Sequence, residues 1–287
     1  MDLVIGAITN YSFPQIKNWV NSLDRSGFTG TKALLCYNIK FDVVQELSQR
    51  GYTILAFNQD PETKDLTYPG EFNIVRERFI HMWYFLNQFE NKHDYRFLIS
   101  TDVKDVIFQR NPSEWLEEHL TDPLRINVAS ESMRYQDEPW GRNNLQQSFG
   151  PLVYSQYQHH YIYNAGTLSG RFYEMLDLFL TVYMSSLGAP IHVPGGGGAD
   201  QAALNVLLQT QAYQNITRFT NSDEGWAAQL GTTKDPQKFD SYRPFILESD
   251  IPMMKDGLVC TAAGDPYYLV HQYDRVPDWK AIIDDKY

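Results

Sequence analysis

The chain reads as an α/β protein with a mostly parallel central sheet flanked by helices. Short apolar runs recur from its start, at "LVIGAIT" (3–9), "KALLCYNI" (32–39), "YTILAF" (52–57) and "YRFLIS" (95–100). These runs are continuous and not alternating, as expected of strands covered on both faces. Between them stand helical patterns, two of them closed by glycine. Such regular alternation of strand and helix predicts a parallel sheet with helical crossovers.

In order, the first helix carries Ile16, Trp19, Val20 and Leu23 at helical spacing and stops at Gly27. A short helix around Val43 to Leu47 ends at Gly51. The strongest helical pattern is "FNIVRERFIHMWYFLNQF" (72–89), where Val75, Phe79, Met82, Trp83 and Leu86 form one apolar stripe. Beyond residue 100 the sequence predicts a helix at "PSEWLEEHL", a strand at "RINVASE" (125–131) and an irregular polar stretch to about 160. A strand "YIYNAGTLSG" (161–170) and a helix through Leu187 follow. "PGGGGAD" (194–200) reads as a flexible hinge, and "DQAALNVLLQTQA" (200–212) as a helix whose acidic first residue suits its dipole. "YYLVHQY" (267–273) is the last clear strand. No linker splits the chain, so residues 1–287 read as one domain.

Composition narrows the partners. A chain of 287 residues, 43% hydrophobic and 21% charged, is that of a folded globular protein. Its net charge of −11 speaks against nucleic acid, because phosphate backbones need a basic face. An anionic small molecule would therefore need a local cation to hold it. The 19 tyrosines fit sugar or base stacking as well as an aromatic-rich core. Cys36 and Cys260 form no metal-spaced pair and read as buried free thiols of a reducing compartment. No transmembrane run or basic, apolar leader is evident, which predicts a soluble, cytoplasmic protein and an unused sequon at Asn215.

The segment "LISTDVKDVIFQRNP" (98–112) carries the main functional signal. Asp102 and Asp105 interrupt a run that otherwise asks to be buried. Residues three apart on a strand point to opposite faces, so the two serve one purpose only if the strand ends near Thr101 and the chain turns. They would then sit at the carboxyl end of a parallel strand, where open α/β sheets bind ligands. Converging carboxylates suit a hard divalent cation such as Mg²⁺ or Mn²⁺. A second reading stays open on spacing alone: Asp102 caps the turn, and Asp105 pairs with Lys104 or Arg110.

With "DVIFQRNP" behind it, this segment resembles the metal-binding aspartate motif of glycosyltransferases with the GT-A fold. That resemblance implies a Rossmann-like sheet, with 1–112 as the nucleotide-binding half and 113–287 as the donor-sugar and acceptor half. The family's usual spacing is Asp-x-Asp, whereas this chain has Asp-x-x-Asp, so one carboxylate could act through water. "YNAGTLSG" (163–170) resembles the strand that lines the donor sugar in family 8-like transferases. There Ala165 and Gly166 would let a ligand approach the backbone, and Asn164 offers both a donor and an acceptor. An ordinary strand with a bulge at Gly166 is the alternative.

"GADQAALN" (198–205) resembles that family's Asp-Gln-x-x-x-Asn segment, which implies that Asp200 and Gln201 sit beside the anomeric carbon and the acceptor. A helix cap is the other reading of Asp200. The four glycines before it would suit a loop that closes over substrate. In "LVHQYDRVPDW" (269–279), His271 matches a late histidine that joins the aspartates on the metal, and Arg275 could reach a phosphate. A satisfied core histidine is the alternative. Thr9, Asn10 and Tyr11 end the first strand where such enzymes hold the nucleotide base, and Arg76 and Arg78 match a basic residue aimed at the nucleotide.

Together the likeness implies a Mn²⁺- or Mg²⁺-dependent transferase. It would move a sugar from a nucleotide-diphosphate sugar, with uridine favoured, to a glycan or other hydroxyl acceptor. Asp200 is then the first candidate for a base or charge stabiliser and Glu131 the second. A sugar-nucleotide-forming nucleotidyltransferase competes, but "TNYSFPQIKNW" lacks the Gly-rich basic loop that class carries after its first strand. A non-catalytic carbohydrate-binding protein also competes, and it leaves the Asp/Asp/His set without a purpose.

Overall fold

A computed structural model describes residues 1–190, 198–247 and 251–287. The first third of the chain runs β1 (Asp2–Ile8), α1 (Phe13–Arg25), β2 (Thr31–Cys36), α2 (Phe41–Gln49) and β3 (Thr53–Ala56). A two-residue ladder, β4 (Asn58–Gln59) with β5 (Leu66–Thr67), leads to α3 (Ile74–Asn87). Then come β6 (Phe97–Thr101), β7 (Val106–Phe108), α4 (Pro112–His119), β8 (Ile126–Arg134) and α5 (Pro139–Tyr157). The chain continues through β9 (Tyr161–Tyr163), β10 (Thr167–Arg171), α6 (Phe172–Ser186), α7 (Asp200–Leu208) and α8 (Gln211–Gln214). It closes with β11 (Thr217–Thr220), β12 (Ala227–Gln229), α9 (Leu230–Thr233), α10 (Phe239–Tyr242), β13 (Met253–Lys255), β14 (Leu258–Cys260), β15 (Leu269–His271) and α11 (Pro277–Lys286).

The main sheet has the order β11-β8-β10-β6-β1-β2-β3, with β9 beside β8. Strands β3, β2, β1 and β6 are mutually parallel, as are β8 and β11; β10 runs antiparallel between β6 and β8, and β9 is antiparallel to β8. Side chains alternate between two apolar layers, as a strand's period of two requires. Val4, Ile8, Leu34 and Ile99 pack with Trp19, Leu23 and Leu47 of α1 and α2. Leu3, Ile5, Leu35 and Leu98 pack with Phe79 and Met82 of α3 and with Phe179 and Leu204 of α6 and α7. Burial on both faces explains why these strands read as continuous apolar runs.

A second, small sheet has the order β12-β15-β7. Its strands β7 and β15 are antiparallel, with His271 opposite Val106, and Gln229 of β12 stands opposite His271. The chain therefore leaves the main sheet at Thr101 and enters the small sheet at Val106, and the two aspartates occupy the corner between them.

Several expected elements differ. The supposedly irregular stretch before 160 holds α5, capped by Glu138 with Pro139 in its first turn and kinked at Gly150, whose φ is +81°. Its buried positions are few (Gly141, Asn144 and Leu145), so no apolar stripe marked it. The expected strand 161–170 is two strands, because the chain turns at 164–166. The helix from Asp200 ends at Leu208 and not at 212, and the last sheet strand covers only 269–271. Of the "PGGGG" hinge, residues 194–197 lie outside the described residues. Among the described residues no helix is long and apolar enough to cross a membrane.

Candidate metal centre and adjoining cavities

The site forms where β1 and β6 end side by side, with Gly6 opposite Thr101. Strand β1 has sequence-later neighbours on both sides, β2 on one and β6 on the other, and such a reversal opens a crevice at the carboxyl ends. Asp102 follows directly, its backbone N–H donating to the Gly166 carbonyl at 2.9 Å. Asp105 is fixed at the other end of the corner, where its carbonyl accepts from the Gln272 N–H at 2.8 Å. Pairing of β7 with β15 thus brings Asp105 against His271 across more than 160 residues of sequence.

Nε2 of His271 lies 3.6 Å from Oδ2 of Asp102 and 3.7 Å from Oδ1 of Asp105. One ligand atom from each of these three residues lies within 4.8 Å of the others. The far ring nitrogen of His271, Nδ1, contacts Oε1 of Gln229 at 2.7 Å, while Gln229 donates from Nε2 to the Thr167 hydroxyl at 3.0 Å. That contact makes Nδ1 the donor and aims Nε2 at the carboxylates, where it would ligate a cation on giving up its proton, the usual outer support of a metal-bound imidazole. The donor set therefore fits a divalent cation. Asp102 keeps 35% of its side chain open while His271 keeps only 2%, so the site opens on the carboxylate side. Gly166 leaves room for it: a Cβ there would lie 2.6 Å from Oδ2 of Asp102 and 2.9 Å from Cε1 of His271.

Arg78 organises the floor. Its guanidinium donates to Asp102, to the Ala165 carbonyl at 3.2 Å and to Oδ2 of Asp200 at 3.5 Å. Burial would raise the Asp102 carboxyl, but the charges of Arg78 and His271 hold it well below the usual range. Asp105 is pushed up by burial, opposed by His271 and reinforced by Asp102. Burial disfavours the imidazolium of His271, yet Asp105 and Asp102 together raise its pKa. Burial carries Asp200 up to about 6 in spite of Arg78. Several carboxylates crowded around one guanidinium and one imidazole leave negative charge for a cation to neutralise.

Two cavities meet here. The smaller, about 230 Å³, is lined by Tyr11, Ile74, Lys104 and Asp105. A larger one, about 440 Å³, is lined by Glu131, Asn164, Asp200, Gln201 and His271. Val75, Arg78, Asp102 and Arg275 line both. In the larger cavity Oε1 of the buried Glu131 accepts from Nδ2 of Asn164 at 2.7 Å and from Nε2 of Gln201 at 3.1 Å. Oδ1 of Asn164 accepts from the Gly166 N–H at 2.5 Å, and Oε1 of Gln201 accepts from the Ala165 N–H at 3.2 Å. The turn 164–166 is thus locked against α7 and β8, with burial raising the Glu131 carboxyl.

Of the residues singled out in the sequence, Asp102, Asp105, His271, Arg78, Asn164, Ala165, Gly166, Asp200, Gln201, Tyr11 and Arg275 line these cavities. Thr9 and Asn10 stand beside Tyr11 but line neither; Asn10 is exposed, with φ +54° and its N–H on the Asn38 carbonyl. Arg76 also lines neither and lies 3.4 Å from Glu77. Sequence reading missed Gln229, Glu138, Trp140 and Lys238. "EPW" held a usable signal, since a proline after a capping residue marks a helix start. No local pattern pointed to Gln229, whose role depends on strand pairing.

No protein-family model matches this chain, and no curated protein matches it.

Proposed function

We propose that the protein is a metal-dependent glycosyltransferase of the GT-A type that takes its sugar from a nucleotide-diphosphate donor. The observation that carries this reading is the convergence of Asp102, Asp105 and His271 at the junction of two cavities. A mixed, mostly parallel sheet with its site at the strands' carboxyl ends is compatible with that fold.

In this reading the smaller cavity takes the nucleoside against Tyr11, and the larger takes the sugar. Asp102, Asp105 and His271 would hold Mn²⁺ or Mg²⁺, which when bound neutralises the charge that a diphosphate leaving group develops. Arg275, 55% exposed and lining both cavities, would pair with the same phosphates. Asn164, Gln201 and Glu131 offer hydrogen bonds to sugar hydroxyls. In transfer, the acceptor oxygen bonds to the anomeric carbon and the bond from that carbon to the diphosphate breaks, its electron pair leaving with the phosphate. The acceptor proton passes to a base, for which buried Asp200 is the first candidate and Glu131 the second. Asp200 also serves as charge stabiliser if the diphosphate takes the proton.

A panel of sugar nucleotides incubated with Mn²⁺ and the protein tests the reading through nucleotide release. We expect release of UDP from a UDP-sugar, faster than of GDP from any GDP-sugar. Release of no nucleotide would favour a carbohydrate-binding protein, and faster GDP release would remove the uridine assignment.

A further inference from the structure

Trp140, Glu138, Thr232 and Lys238 line the larger cavity and not the smaller one. Trp140 is partly buried. Among the described residues its ring is paired with no other aromatic ring, joins no apolar cluster and has no hydrogen bond at Nε1. Yet its backbone is held firmly. Glu138, 2% exposed, caps α5 by accepting from the Gly141 N–H and takes the Tyr242 hydroxyl at 2.5 Å on its other oxygen. A large ring fixed on a rigid helix start lines the cavity partly exposed, with no aromatic ring or apolar cluster among the described residues to take its face, and so leaves apolar surface for a ligand.

We infer that Trp140 is the stacking platform of an acceptor subsite for a saccharide, whose pyranose ring lays its apolar face on the indole. The exposed Lys238 lines the same cavity, where its ammonium donates to hydroxyl or ring oxygens of that sugar. Tyr242 supports both, since its hydroxyl holds Glu138 and its ring lies 5.8 Å from the Lys238 nitrogen. This assignment rests on the transferase reading only in calling the sugar the acceptor; the platform itself stands on the geometry of the wall.

Saturation-transfer NMR with lactose and maltose as probes tests it on the full chain, without donor or metal. At least one disaccharide should bind the unmodified protein, with affinity reduced about tenfold or more in Trp140→Ala and largely kept in Trp140→Phe, which preserves an aromatic face. A melting curve for each variant checks folding. Failure of both probes to bind the unmodified protein, or equal binding by Trp140→Ala, overturns the assignment. Binding lost in Trp140→Ala with no nucleotide released from any sugar nucleotide would keep the platform and remove the transferase reading.

Discussion

Asp200→Asn should lower kcat by roughly 10²-fold or more, with donor affinity and melting temperature almost unchanged. Asp200 is the first residue of α7, Ala199 holds the cap position, and no side-chain capping bond is made there. Asparagine would in any case cap about as well as aspartate, so a merely structural Asp200 predicts a silent change. Arg78 loses one partner in the variant but keeps Asp102 and the Ala165 carbonyl, which limits the cost in stability. Chemistry in either role needs the ionised carboxylate. Burial lifts its pKa to about 6, so kcat should fall as pH drops through about 6, and lower still if a cation sits beside Asp102. That acid limb should be missing in Asp200→Asn. Near-normal turnover by the variant would pass the role to Glu131 or to the donor's own diphosphate.

Chelation with EDTA should abolish transfer, and added Mn²⁺ or Mg²⁺ should restore it. Asp105→Ala should lose metal-supported donor binding by more than the roughly 10–100-fold that removing an outer-shell partner costs. Gln229→Ala, which frees Nδ1 of His271, should fall within that smaller range. Asp105→Ala should still fold, because it is the backbone carbonyl of Asp105 and not its carboxylate that accepts from the Gln272 N–H just past β15. Protons compete with the cation for Asp105 and His271, both held above their ordinary values. Metal affinity should therefore weaken as pH falls. Full activity in EDTA would remove the metal from the mechanism.

The amino-terminal half was legible because β1, β2 and β6 are largely buried on both faces, and β1 and β2 each lead into a helix with its own apolar stripe. Leu3, Val4 and Ile5 are wholly buried, as are Ala33, Leu34 and Leu35, and such runs advertise themselves. Asp102 and Asp105 stood out for the opposite reason, as charges inside an apolar segment. The reason for their unusual spacing was not local: it is the corner between β6 and β7, set by a strand near the chain's end. Gln229 was illegible for the same cause, since its partners Thr167 and His271 are distant in sequence. Strands β11 and β12 and the hairpin of β13 and β14 are three or four residues long, too short for a period to declare itself.

Calorimetric titration of UDP into the protein, once with Mn²⁺ and once with EDTA, tests most directly whether Asp102, Asp105 and His271 hold a nucleotide through a metal. With Mn²⁺ present UDP should bind, and with EDTA, or in His271→Ala with Mn²⁺, the binding should disappear or weaken by about 100-fold or more. Equal UDP affinity in Mn²⁺ and in EDTA would contradict the metal-bridged site.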